Sequence, residues 1–396
     1  MSYPSAGRFP AILIGGPPHS GKSVLAQSLT KALTGAGIQH YLLRAAPDGE
    51  GNWFHEADPA VAQSLRRKGN FTPAWVERVC RDLAARPLPF LVDIGGRPEP
   101  WQEAIIDQCT HAILLTPGAA SLAEWQERVA RYNLLLTASL ISQRTGESQL
   151  VEANGPIIRG VISGLERGQL ATGPVFEAVL SRVKALFNYS YDELLSIHTE
   201  QARVELVVDL PTMYRHLNPN RAGYDWQPAD LPGVFEYLPQ DTQLALYGRG
   251  PAWLYAAVAR YIFPQPFYQF DIRYGWVKPV TFHHSAAAST PLKLNVEQTP
   301  LYLRLKLDLP EDYLVYQPEL PFLLPPPPQD RGLILGGKLP IWLYTSLTLF
   351  YRSAPWVAVY SPHLDQAVVV ASPVMTGAYA VGQTLPLRNR EAGATA

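Results

Sequence analysis

Up to about residue 200 the chain alternates two hydrophobic rhythms. Nearly continuous apolar runs at Ala11–Ile14, His40–Arg44, Phe90–Ile94, His111–Thr116 and Ile157–Ser163 read as buried strands. Between them, apolar residues recur every three or four positions at Val24–Leu33, Ala74–Ala85, Ala104–Cys109, Leu122–Ser142 and Val175–Phe187, which predicts helices. Strands alternating with helices predict an α/β fold with a mostly parallel sheet covered on both faces. A polar helix over Tyr191–Arg203 is expected to lead into the second half.

There the rhythm changes, and it does so twice. Alternating strands Val204–Pro211 and Leu301–Pro310 both end in Asp-Leu-Pro. A Pro-rich loop follows each, then Pro239-Gln240-Asp241 or Pro328-Gln329-Asp330, then a strand, Leu244–Tyr247 or Leu333–Leu335. A glycine turn leads to a helix opened by Pro251 or Pro340, where a missing N–H costs nothing. The strands Phe267–Ile272 and Trp356–Tyr360 come next, followed by Trp276–Phe282 or Gln366–Ala371. Pro251, Trp253, Leu254 and Tyr255 recur 89 residues later as Pro340, Trp342, Leu343 and Tyr344, the mark of an internal repeat. The expected organisation is a P-loop nucleotide-binding domain (1–200) and two tandem small α+β modules (201–292 and 293–396), packed as a pseudo-dimer. The tryptophans read as helix-packing residues more readily than as base-stacking platforms.

The 396 residues suffice for two or three domains, and a 47% hydrophobic content is that of a folded chain. A formal net charge of −1 gives no sign of an extended double-stranded DNA-binding surface, though it leaves room for a basic pocket. Two cysteines cannot build a disulfide framework, which points to a reducing cytoplasm. No signal peptide is evident, and no apolar run is long enough to span a bilayer, so no membrane association is expected.

Gly15–Ser23 reads GGPPHSGKS, the Walker A spacing, at a strand-to-helix turn. Backbone N–H groups between Gly16, Ser20 and Gly21 would cradle phosphates, Lys22 would neutralise them, and Ser23 would ligate Mg²⁺. ATP and Mg²⁺ are therefore the expected cofactors. Asp93, at the end of an apolar strand, suits a second metal contact, and Gly95-Gly96 would admit the γ-phosphate. Asp48 and Glu50 lie in a glycine-rich acidic loop after the second strand, where ligands bind in open α/β sheets, and are candidates to hold the metal or orient a water; a plain Asp-Gly turn reads equally well. Arg97, Arg128 and Arg131 could meet phosphates or stay solvated. A kinase, a switch and an assembly ATPase would all show this loop.

The run Gly248-Arg249-Gly250-Pro251, a helix, then Pro-Phe and a strand ending near Asp271-x-Arg273 resembles the CRISPR-associated "Csx-three" family of type III ring nucleases. Residues 204–385 are similar to two copies of it, and some members of that family are fused to a P-loop domain of the AAA type. The resemblance implies metal-dependent cleavage of cyclic tetra-adenylate or RNA ends, with Mn²⁺ an admissible metal, in a homo-oligomer. It implies that Gly248, Arg249 and Gly250 hold phosphate, that Asp271, Arg273 and His284 are catalytic, and that Asp271, His283 and His284 ligate metal. Blander readings stand beside it: a turn cap for Arg249, a surface ion pair on one strand face for Asp271 and Arg273, and loop histidines. The family's catalytic histidine is replaced by Phe263 and Arg352, and Ser361-Pro362-His363 replaces Asp-x-Arg in the second copy. A sensor that binds without cleaving, coupled to the P-loop domain, is the alternative, as is a P-loop kinase with an accessory binding domain.

Overall fold

A computed structural model describes residues 9–45, 72–284, 293–309, 314, 316–317, 322–374 and 376–387. By their contacts they group into two units, Met1–Ser196 with Ile272–Gly275, and Ile197–Asp271 with Trp276–Ala396. The fold is mixed α/β, with a mostly parallel first sheet and further sheets after it.

In the first unit, β1 (Ala11–Gly15), β2 (Tyr41–Ala45), β3 (Phe90–Ile94), β4 (His111–Thr116), β5 (Leu135–Gln143), β6 (Gln149–Glu152) and β7 (Ile158–Ser163) form one sheet in the order β2-β3-β1-β4-β5-β7-β6. All its pairings are parallel except β6 with β7. Helices α1 (Lys22–Gly35), α2 (Pro73–Ala84) and α3 (Ala119–Arg131) fill crossovers, and α4 (Pro174–Leu186) follows the last strand. Leu25, Leu29 and Leu33 of α1 share a core with Val175, Val179 and Val183 of α4 and with Ile12, Ile14 and Leu140 of the sheet.

The helix expected over Leu122–Ser142 stops at Arg131. Asn133 takes φ 56, a left-handed conformation that asparagine tolerates, and the Leu134 amide turns back to the Val129 carbonyl at 3.1 Å. The apolar residues beyond it become β5, inserted between β4 and β7. Burial between two strands won over helical spacing.

The second unit begins within α5 (Tyr191–Gln201) and holds two similar runs. In the first, β8 (Leu206–Asp209), β9 (Leu244–Tyr247) and β10 (Phe267–Asp271) pair in parallel, with β11 (Gly275–Val277) beside β10. Helices α6 (Leu210–Leu217) and α7 (Leu231–Tyr237) lie where a Pro-rich loop was expected. The Asp209 carboxylate caps α6 by accepting from the Thr212 N–H at 3.0 Å, with Pro211 in the first turn. Helix α8 (Ala252–Ile262) joins β9 to β10.

Strand β12 (Phe282–His284) pairs with β15 (Phe322–Leu324) in a separate two-stranded sheet, so Trp276–Phe282 is not one strand as expected. In the second run β13 (Lys293–Gln298) flanks β14 (Tyr302–Asp308); β14, β16 (Gly332–Gly336) and β17 (Val357–Ser361) pair in parallel, and β18 (Gln366–Ala371) and β19 (Thr384–Pro386) extend the sheet antiparallel. Helix α9 (Ile341–Phe350) joins β16 to β17 and packs on α8. Trp253 and Trp342 are both buried, consistent with a packing role. Among the described residues no helix is long and apolar enough to cross a membrane.

Candidate functional sites

The loop between β1 and α1 meets the ends of two neighbouring strands. Gly16 takes φ 148, and a Cβ there would stand 1.9 Å from the Leu115 carbonyl oxygen of β4. A Cβ on Gly96, just past β3, would stand 2.3 Å from the Pro18 nitrogen. Only glycine admits such contacts. Because β3 lies directly beside β1, Asp93 arrives next to α1, and the Ser23 hydroxyl donates to its Oδ2 at 2.7 Å. Lys22 is buried and donates its Nζ to the Pro17 carbonyl at 2.8 Å. Burial lowers its ammonium to about 8, against an opposing pull from Asp93. Ser20 is 4% exposed, and its hydroxyl has no hydrogen-bond partner among the described residues. A buried orphan donor and a desolvated cation are what an anionic ligand would complete.

A hydroxyl and a carboxylate oxygen in contact form a donor set suited to Mg²⁺. Ser23 and Asp93 would hold the ion, and it would supply charge neutralisation at the phosphates. Asp48 and Glu50 lie outside the described residues. Arg128 and Arg131 are engaged elsewhere: with the Tyr132 hydroxyl they converge on buried Glu103 at 2.9, 3.3 and 3.0 Å.

In the second unit Gly248-Arg249-Gly250 follows directly on β9, beyond the C-terminal ends of parallel strands. Two tyrosines hold this turn. Tyr255 donates its hydroxyl to the Gly248 carbonyl at 2.6 Å, and the Tyr224 hydroxyl donates to the Arg249 carbonyl. The Arg249 side chain is left exposed. Asp271 ends β10, the neighbouring strand. Burial raises the Tyr255 phenol well above its ordinary range, and the charges of Tyr224 and Asp271 add to the rise. The tyrosine's recurrence was legible as a pattern in the sequence; its use as a latch was not.

Arg273 is not on a strand with Asp271. Residues 272–274 are the turn between β10 and β11, so the two-residue spacing does not put the side chains on one face. Ile272–Gly275 groups with the first unit, where Arg273 pairs with Asp82 of α2 at 2.6 and 3.0 Å. Both side chains are nearly buried. Burial pushes the Asp82 carboxyl up, and Arg273 opposes that rise. Asp82 carried no signal in the sequence. His283 is exposed on β12, in a different sheet from Asp271, and the His284 side chain lies outside the described residues. Among the described residues no three His, Cys, Asp or Glu side chains gather to hold a metal ion.

The positions named for the missing histidine meet each other. The Arg352 guanidinium lies over the Phe263 ring, 5.0 Å from its centre. Ser361 occupies the end of β17 as Asp271 does that of β10.

The family described as "CRISPR-associated protein (Cas_csx3)" matches residues 309–386, from just after β14 through β19. An uncharacterized protein of Aquifex aeolicus (strain VF5) is 37% identical over 81 residues, 20% of this chain and 71% of that protein.

Proposed function

The chain carries a domain of the CRISPR-associated Csx3 family at residues 309–386, and from that premise we propose that its second unit binds cyclic tetra-adenylate and opens the ring, ending an antiviral signal. The first unit, in this reading, binds ATP with Mg²⁺ through Gly16, Ser20, Gly21, Lys22, Ser23 and Asp93. The carrying observation is that the tyrosine-latched turn Gly248–Gly250 and Asp271 stand at the same, C-terminal, ends of the neighbouring parallel strands β9 and β10. The like connectivity of the two runs supports a duplicated module.

Chemically, the Arg249 guanidinium and the backbone of the turn would hold a ring phosphate and offset charge building on phosphorus. A ribose hydroxyl of the ring would attack that phosphorus and give its proton to Asp271. The bond to the next nucleotide's oxygen would break, that oxygen leaving with the electron pair and taking a proton from water, so that the product is linear with a cyclic phosphate at one end. The described residues do not form a metal cluster, so no step is routed through Mn²⁺. Arg273, held by Asp82, takes no part in this scheme.

The test is chromatography of cyclic tetra-adenylate after incubation with the protein, with and without Mn²⁺ and ATP. Linear products are expected, with at least a hundredfold slower cleavage in Asp271→Ala at unchanged ring binding. Unchanged turnover in that variant would remove the site. Ring that is bound yet intact would favour a second reading, a sensor coupled to ATP binding. The contact of Arg352 with Phe263, where the family has a histidine, favours that reading.

A further inference from the structure

A recess of about 140 Å³ lies in the first unit at the C-terminal ends of β2 and β3, lined by Ala45, Ile94, Gly96, Arg97, Gln102 and Ile105. Gly96, in its wall, is the residue that packs against Pro18 of the phosphate-binding loop. Gly96 thus borders both the recess and the loop. Arg97 is exposed and makes no ion pair or side-chain hydrogen bond among the described residues. An uncommitted guanidinium at the mouth of a small recess suits a phosphate.

Among the described residues the carboxylates nearest along the chain are already engaged; Asp48 and Glu50, which follow β2, lie outside them. Asp93 takes the Ser23 hydroxyl. The next two acids along the chain are Glu99 and Glu103. Glu99 accepts from the Trp101 indole at 2.7 Å, and Glu103 is buried beneath Arg128, Arg131 and Tyr132. A water nucleophile needs a group to take its proton. A phosphate monoester does not, since its second pKa is about 6 and its oxygens are already ionised at neutral pH.

We infer that this recess receives a phosphate monoester and that the first unit transfers the γ-phosphoryl group of ATP to it. This rests on the ATP-binding reading above and adds an acceptor to it. An acceptor phosphate oxygen forms the new bond to the γ-phosphorus. The bond from that phosphorus to the β–γ bridging oxygen breaks, and ADP leaves with the electron pair. Arg97 holds the acceptor dianion, while Lys22 and the loop hold the donor. The recess admits the phosphate end of the acceptor and leaves the remainder outside.

The test uses the full chain, γ-labelled ATP and Mg²⁺, with AMP and UMP as acceptor probes, and a separate measurement of ATP binding. Label is expected in a nucleoside diphosphate. Arg97→Ala should raise the KM for the acceptor at least tenfold with the ATP dissociation constant within twofold of wild type, and Arg97→Lys should restore part of the loss. ATP bound with label only in inorganic phosphate, or with no label transferred to either probe, overturns the acceptor site. ATP not bound at all overturns the nucleotide reading and this inference with it.

Discussion

The two runs of the second unit share a chain path and differ in what their turns touch. Each sends a parallel strand into a glycine turn, a proline-capped helix and a second parallel strand. Tyr255 and Tyr344 each reach back to the carbonyl of the glycine that starts the turn, Gly248 at 2.6 Å and Gly337 at 2.5 Å. Pro251 and Pro340 take nearly the same backbone angles, φ −69 and ψ 152 against φ −65 and ψ 150. The turn itself carries Arg249 in the first run and Lys338 in the second. The next strand ends in Asp271 in one and Ser361 in the other. The turn beyond it holds a nearly buried Arg273 in one and an exposed His363 in the other. The lesson is that backbone latches carry the shared shape, and the strand-end side chains are free to take on separate tasks.

The helices show the same division. Ala256, Ala257 and Ala259 of α8 are small and buried, as close helix packing requires, whereas α9 presents Thr345, Ser346 and Thr348. Thr345 donates to the Gln269 side-chain carbonyl of β10 at 2.7 Å, and the Ser346 hydroxyl accepts from the Val280 N–H at 2.9 Å. The second run thus satisfies buried polar groups of the first.

The largest expected difference between the runs is at the turns. Arg273→Ala should cost about 3–5 kcal/mol, because it strands a buried Asp82 carboxylate, while His363→Ala should stay within about 0.5 kcal/mol. Urea unfolding of both variants checks this, and equal costs would dissolve the contrast. The comparison extends to the first unit through pH. The folded pKa of Lys22, about 8, lies below the 10.5 of an unfolded lysine. Between those values the unfolded chain binds more protons, so stability rises with pH, by up to about 1.4 kcal/mol per unit. The penalty is fully present below that window. Lys22→Met should flatten the rise in melting curves recorded from pH 8 to 10 without ligand.

Thr345→Val should destabilise by about 1–3 kcal/mol, since the Gln269 carbonyl loses its donor, and Thr345→Ser should recover most of it. A silent Thr345→Val would mean that the runs do not lean on each other through this bond. The smallest effects belong to the latches. Tyr255→Phe and Tyr344→Phe should each cost about 1 kcal/mol by chemical denaturation, and a marked inequality would show that only one turn needs its tyrosine.

Much of the fold was legible because burial leaves a local trace. The apolar runs at Phe90–Ile94 and His111–Thr116 became strands with those bounds, and Leu244–Tyr247 and Gln366–Ala371 did likewise. Leu122–Ser142 misled because its spacing fits a helix, while the stop signal was a single asparagine. Helix α6 carries a local signal of its own, Asp209 before Pro211, the arrangement of a capped first turn. In the candidate sites, the Walker spacing placed Lys22 and Ser23, and nothing local announced Asp82 or Gln269.

The sequence alone determined which segments could be strand, glycine turn or helix, and that the Pro-x-Trp-Leu-Tyr element occurs twice, because those depend on neighbours a few residues away. Only the tertiary structure decided which distant groups meet: Ser23 with Asp93, Arg273 with Asp82, Thr345 with Gln269. Those partners are 70, 191 and 76 residues apart. A side chain's charge or hydroxyl constrains what its partner must be, but only strand order and helix packing determine where along the chain that partner is found.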